Sequence, residues 1–309
     1  MSGVKIIKIK QDDDGIRLNR WFLREYPSLS LSRLQKLLRT KQIKVDGKKA
    51  ETSTRLLCGQ ELRIPPLDNE KADKKVEELS ISDVNYIQSM VIYKDNDIIV
   101  INKPAGLAVQ GGTNTFKHID GMLDALKFEK EEKPKLVHRI DKETSGILVL
   151  ARNRKKADEL TKAFREKTLN KTYLAVVRGV PEKNEGEIKL SLEKIGEKME
   201  VVEGGKKAIT LYKVIDKIGK KYSLVEASPL TGRTHQIRAH LEAIGTPILG
   251  DDKYYGKERL RIKDVQDKLY LHAYKIDLSS LCNKKLIIEA KMPKHFVETC
   301  KFFGLEINK

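Results

Sequence analysis

Cysteine is scarce in this chain: Cys58, Cys282 and Cys300 are the only three in 309 residues. Their number is odd and no two have Cys-x-x-Cys spacing. A disulfide framework and a cysteine zinc site are therefore not expected, and the thiols read as those of a reduced, cytoplasmic protein. No apolar run approaches the length needed to span a bilayer, so no membrane insertion is expected. The opening Met1-Ser2-Gly3-Val4-Lys5-Ile6-Ile7-Lys8-Ile9-Lys10 alternates like a strand and lacks a signal-peptide core. Glycine-rich nucleotide fingerprints, tandem repeats and low-complexity blocks are missing too. With no Cys/His metal spacing either, the sequence predicts no metal and no small-molecule cofactor.

Cationic residues, by contrast, are in excess. The chain carries 61 Lys plus Arg against 44 Asp plus Glu, a formal net charge of +17. A pI near 9.5 points to a polyanionic partner, nucleic acid first and an anionic membrane surface second. Hydrophobic residues make up 39% and charged residues 34%, which suits a globular protein with a highly charged surface. The length suggests two domains, with ample chain for a full core.

Residues 1–66 form the first expected domain. Ile16 to Glu25 has apolar residues at helical spacing, ended by Pro27. A second helix follows, capped by Ser30 or Ser32, with Leu34, Leu37 and Leu38 on one face and Arg33 and Lys36 on another. Asp46-Gly47 between short strands predicts a hairpin. Through Pro66 there are 15 Lys plus Arg against 7 Asp plus Glu, so nearly half the net charge lies in about a fifth of the chain. A cationic helix face beside a basic hairpin suits phosphate binding. Polar residues after Pro65-Pro66 predict a linker over 67–90. The second domain, 91–309, mixes short strands with fewer helices and predicts an α+β fold.

That second domain contains His138-Arg139-Ile140-Asp141-Lys142-Glu143-Thr144-Ser145-Gly146, followed at once by the apolar run Ile147-Leu148-Val149-Leu150-Ala151. A polar loop feeding a buried strand is a rigid platform from which a carboxylate can be aimed. Two further motifs follow: Lys171-Thr172-Tyr173 at a strand start, and Gly232-Arg233-Thr234-His235-Gln236-Ile237-Arg238 after a Thr-Gly turn.

Taken in order, and with the Asn102-Lys103-Pro104-Ala105-Gly106 loop, these motifs resemble the RluA-type pseudouridine synthases, in the branch that modifies large-subunit ribosomal RNA. The N-terminal domain resembles the small α+β RNA-binding domain first described in ribosomal protein S-four. The resemblance covers nearly the whole chain. It implies a catalytic domain with a mixed, mainly antiparallel sheet, and ribosomal RNA as partner; a monomer is expected. It also implies that Asp141 is the catalytic carboxylate, acting as a nucleophile on the ribose or ring or driving a glycal-type elimination. Arg233 would pair with Asp141, with Arg238 as the alternative partner and otherwise an RNA contact. Tyr173 would stack on the uracil and could shuttle a proton. The target base must be flipped out of the RNA, and Arg139 would fill the vacated stack. Arg33, Lys36 and Lys171 would contact RNA, while His138 and His235 would support the loops. Ile140 stands where the family usually has Leu, and Gln110 where many of the branch carry His.

Other readings fit less well. His138, Asp141 and Ser145 lie too close in sequence for a relay, and no Gly-x-Ser-x-Gly elbow is present. A kinase would need a phosphate-cradling loop that is missing. The serious rival is a non-catalytic ribosomal RNA binder. A carboxylate kept alongside Tyr173 and Arg233 favours the enzyme, because binding a polyanion calls for cations alone.

Overall fold

A computed structural model of the chain describes residues 3–26, 29–67, 79–112, 115, 117–255, 262–263, 265–282 and 284–307. Pro27 and residues 68–78 of the expected linker lie outside these. The chain divides into two compact units, Met1–Glu78 and Leu79–Lys309.

In the first unit, β1 (Lys5–Lys8), α1 (Leu18–Glu25), α2 (Leu31–Arg39), β2 (Lys44–Val45), β3 (Lys48–Lys49) and β4 (Glu61–Ile64) make a four-stranded sheet of order β1-β4-β2-β3 with two helices. Ser30 is the cap of α2, accepting the Arg33 N–H at 3.2 Å. Leu34 and Leu38 are buried with Trp21, Phe22 and Leu62 in this unit's core, and Arg33 and Lys36 stay on the exposed face. The hairpin turn is the expected one: Asp46 and Gly47 both have positive φ, 47° and 71°, as a tight turn matched to strand twist requires.

The second unit begins with α3 (Ile81–Ser89), β5 (Val91–Lys94) and β6 (Ile98–Lys103). The helix was not foreseen; residues 79–90 were expected to be linker. Polar neighbours mask its apolar stripe, yet Ile87 and Met90 are buried among Ile99, Ile101 and Leu148. Next come α4 (Ile119–Met122), β7 (Lys135–Leu136), β8 (Ser145–Ala151), α5 (Arg154–Glu166), β9 (Lys171–Arg178), β10 (Glu185–Ile195), β11 (Lys198–Val201), β12 (Lys206–Ile218) and β13 (Tyr222–Pro229). Finally α6 (Gln236–Ala243), β14 (Leu271–Asp277), β15 (Ile287–Glu289) and α7 (Lys294–Phe303) complete the chain.

The main sheet runs β11-β10-β12-β13-β9-β14-β8-β6-β5, with β15 beside β14 and β7 beside β8. Its strand pairs are antiparallel apart from β14 with β8. This is the α+β, mainly antiparallel architecture expected. Strand β8 is buried along its whole length, as its unbroken apolar run implied. Helix α5 starts at Asn153, whose side chain accepts the Lys156 N–H at 2.8 Å, and buries Ala157, Leu160 and Ala163. One register row positions the site. Lys103, Gly146, Ala273, Tyr173 and Ala227 lie side by side across β6, β8, β14, β9 and β13. Motifs far apart in sequence therefore reach the same level of the sheet.

Candidate active site

A cleft of about 730 Å³ lies within the second unit, lined by Gln110, His138, Arg139, Asp141, Lys171, Tyr173, Arg233, His235 and Arg238 among others. Its size is that of a small-molecule pocket and accommodates one extruded base. The loop carrying Asp141 is fixed from three sides. Asp141's carbonyl accepts the Thr144 N–H at 3.2 Å, closing a turn just before β8. Lys142's carbonyl accepts the Gly106 N–H at 2.9 Å and the Lys103 ammonium at 2.8 Å. His138 Nε2 accepts the Val149 N–H at 2.8 Å, and its ring stacks on Phe164 of α5 at 4.0 Å.

Lys103 is a residue that sequence reasoning missed in this role. Its side chain is fully buried, and Nζ donates to the carbonyls of Pro104, Leu107 and Lys142 at 2.8–2.9 Å. Burial pushes its pKa down to about 7, opposed by the charges of Glu143 and Asp141. The three acceptors occupy every N–H of the charged form. One lysine thus ties the Pro/Gly loop to the Asp141 loop. Among so many lysines, only its place at the end of the buried strand β6 hinted at burial.

Asp141 is half-buried at the cleft wall. Arg238 Nη1 stands 3.5 Å from Asp141 Oδ2, and His235 Nε2 stands 3.8 Å from the same oxygen. Arg238 is buried at 5% exposure on α6, and its Nε and Nη2 both donate to Asp251 at 2.7 Å. This burial and pairing suit the carboxylate-partner role expected of Arg238 as the alternative to Arg233. Arg233, expected to pair with Asp141, lies in the loop before α6. Its Nε donates to the Lys207 carbonyl on β12 at 3.2 Å. Among the described residues the guanidinium beside Asp141 is that of Arg238, the alternative partner. The reason is geometric: Arg238 sits inside the helix facing the core, and Arg233 lies two residues outside the helical cap.

His235 has φ +50° and opens α6 in a left-handed conformation, uncommon for a non-glycine residue. The Tyr254 hydroxyl accepts the Met199 N–H at 2.8 Å and lies 3.1 Å from His235 Nδ1. Either the hydroxyl or an Nδ1–H can donate in that contact, and the Nε2 edge of the ring is turned to Asp141. Burial lowers the His235 pKa, with Asp141 opposing. His138 is pushed down to about 3 by burial and then by the charge of Lys171. It is thus a neutral support for the loop.

Tyr173 lines the cleft from β9. Burial first, and the Asp141 charge second, raise its pKa. The phenol therefore holds its proton at neutral pH. Lys171 is half-buried at the start of the same strand and also lines the cleft, its pKa lowered by burial. Arg139 is exposed at the rim, where its Nη1 donates to Gln110 Oε1 at 3.2 Å. Among the described residues no group of three or more His, Cys, Asp or Glu is placed to hold a metal ion. Nor is any described helix long and apolar enough to cross a membrane.

A family profile for RNA pseudouridylate synthase matches residues 97–243, the stretch holding all three motifs. The chain is 40% identical over 297 residues to ribosomal large subunit pseudouridine synthase C of Rickettsia felis, covering 91% of this chain and 95% of that protein. The chain belongs to the RNA pseudouridylate synthase family. It is thus a synthase that isomerises uridine to pseudouridine in RNA. The namesake of the Rickettsia protein in Vibrio vulnificus is 36% identical, covering 88% of each chain. Among solved structures, human RNA pseudouridylate synthase domain containing 4 matches with TM-score 0.63 at 29% identity, over 73% of this synthase and 97% of that chain. Human RNA pseudouridylate synthase domain containing 1 matches with TM-score 0.55 at 25% identity, over 66% and 83% respectively.

Proposed function

We propose that this synthase isomerises specific uridines of large-subunit ribosomal RNA, with Asp141 as the reacting carboxylate. The observation that carries the reading is the ionic contact of Asp141 with Arg238 inside a cleft of about 730 Å³ that also presents Tyr173. Asp141 cleaves the glycosidic bond, either by attack on ribose or ring or by a glycal-type elimination, and the released uracil turns before bonding through carbon. Tyr173 stacks on the base, and Arg238 orients the carboxylate. Arg139 fills the gap left by the flipped nucleotide, for which its exposed rim position is suited. Lys171 contacts the RNA at the cleft. Arg33 and Lys36, exposed on α2, contact phosphates through the N-terminal unit.

The isomerisation involves no net oxidation and no energy input, so the synthase works without a cofactor. In this reading it acts as a monomer in the cytoplasm, a reduced compartment that suits three cysteines without Cys-x-x-Cys spacing. Support for ribosomal RNA comes from the names of the bacterial relatives together with the +17 charge.

The test is pseudouridine mapping of total RNA from a deletion strain complemented with wild type or Asp141→Asn. We expect specific large-subunit sites to be lost on deletion, restored by wild type and not by the variant. Sites lost only from transfer RNA would refute the substrate, and full restoration by Asp141→Asn would refute the catalytic assignment.

A further inference from the structure

Where β8 leaves the Asp141 loop, a buried histidine of β14 is bonded at both ring nitrogens. His272 is fully buried. Its Nε2 lies 3.0 Å from the Ala290 carbonyl, and its Nδ1 lies 2.9 Å from the Ser145 hydroxyl. A carbonyl can only accept, so the ring proton is on Nε2. Burial holds the His272 pKa down to about 4, with the Ala290 bond opposing, and the ring is neutral at physiological pH. Nδ1 is then an acceptor, and the Ser145 hydroxyl donates to it. The other acceptor within reach of that hydroxyl, the Leu271 carbonyl, is farther away at 3.5 Å. The bonds therefore run one way, from Ser145 through His272 to Ala290. The far end is held as well: the Ala290 N–H donates to the Tyr274 carbonyl at 2.8 Å, and the Lys291 carbonyl accepts Asn102 Nδ2 at 2.8 Å. Thr144 and Leu271, the residues just before Ser145 and His272, line the cleft, while Ser145 and His272 are buried behind it.

We infer that His272 is a positioning residue that sets where Asp141 stands by fastening Ser145 to β14. Ser145 is the first residue of β8 and lies four residues past Asp141. The turn between them is closed by the Thr144 N–H on the Asp141 carbonyl, so its downstream end is as firm as the start of β8. The strand ladder is short there. The parallel contact of β8 with β14 spans two residue pairs, His272 with Ser145 and Ala273 with Gly146. Gly146 has no side chain to hold the strand, and apolar packing is not directional. The hydroxyl–imidazole bond supplies the direction that packing does not, and the Ala290 carbonyl fixes the ring that receives it. The inference deepens the reading of Asp141 as the reacting carboxylate and rests on it.

Two amides split the two bonds. In His272→Asn the amide oxygen takes the place of Nδ1, which keeps the Ser145 bond and gives up the one to Ala290. In His272→Gln the amide nitrogen takes the place of Nε2, which keeps the Ala290 bond and gives up the one to Ser145. Ser145→Ala removes the hydroxyl itself. The experiment is single-turnover pseudouridine formation in an in vitro transcript of large-subunit ribosomal RNA, with RNA affinity by filter binding and thermal melting in parallel. A displacement of the order of an ångström at a reacting group should lower the maximal rates of His272→Gln and Ser145→Ala by about tenfold or more. The enzyme concentration giving half-saturation should stay within about twofold, and the maximal rate of His272→Asn within about threefold of wild type. A merely structural histidine would lower the melting temperatures and leave the folded variants at the wild-type maximal rate, and that result would overturn the inference. Equal rate losses in His272→Asn and His272→Gln would overturn it too, as would a loss confined to RNA affinity. Should the His272 variants not fold, Ser145→Ala, which removes a single oxygen atom, decides by the same readings. Asp141→Asn is run alongside. Turnover by that variant would show that the assignment of Asp141 itself has failed, whatever His272 does.

Discussion

Gly146 lies against Ala273 where β8 and β14 run parallel, so closely that a Cβ on Gly146 would stand 2.7 Å from Ala273 N and nearer still to its carbonyl oxygen. The backbone there has φ +106°, which side chains rarely adopt. Gly146, the second residue of β8, is thus the point at which the strand leaving the Asp141 loop meets β14, itself paired with Tyr173 of β9. We expect Gly146→Ala to lose about 3 kcal/mol or more from strain and overpacking together. Urea denaturation checks this, and a variant within experimental error of wild type would show that the close approach is not needed.

Lys103→Met should take the donor from the Pro104 and Leu107 carbonyls and leave the Lys142 carbonyl with the Gly106 N–H alone. At about 1 kcal/mol or more for each carbonyl left without a donor, the variant is expected to be about 2 kcal/mol or more less stable. Because those carbonyls belong to both loops, activity should fall beyond what unfolding explains, in pseudouridine assays run well below the melting temperature.

His138 makes stability depend on pH. Its folded pKa of about 3 lies below the ordinary 6.5. Between these values the unfolded chain takes up a proton that the native state refuses, so stability falls as pH drops below about 6.5, at up to about 1.4 kcal/mol per pH unit. The loss levels off near the folded value. His138→Gln keeps an acceptor for the Val149 N–H but cannot titrate. Urea midpoints of the variant taken from neutral to acidic pH should decline less steeply by about one proton's worth.

Arg233 and Arg238 should separate cleanly. Arg238→Ala strands Asp251 as a buried unpaired charge, a change that typically costs about 3–5 kcal/mol. Arg233→Ala removes a half-buried side chain bonded to one carbonyl, so its melting temperature should stay near that of wild type. Similar melting for the two variants would contradict this ordering.

Charge reversal of Arg33 and Lys36 to Glu should weaken RNA binding without lowering the rate at saturating enzyme. The slope of log affinity against log salt should drop by about one for each phosphate no longer neutralised. An unchanged slope would mean that this unit meets the RNA through other residues.

The features legible in the sequence were those specified by neighbouring residues. The Asp46-Gly47 hairpin is an example, since two adjacent residues there take positive φ. Ser30 capping α2 and the apolar run of β8 are others. The three motifs were readable for the same reason, each being a short stretch with its own turn chemistry. Helix α3 was hidden because its buried side depends on what it packs against, and Ile87 and Met90 acquire partners only in the fold, in a cluster shared with residues of α4, β6 and β8. Lys103 among 61 cations, and Asp251 thirteen residues from its arginine, carry no local mark. What only the tertiary structure decided was which charge meets which. Arg233 and Arg238 share a motif, and the sequence alone left both as partners for Asp141. The choice fell to Arg238 because α6 turns that side chain inward, toward two carboxylates brought there by separate loops.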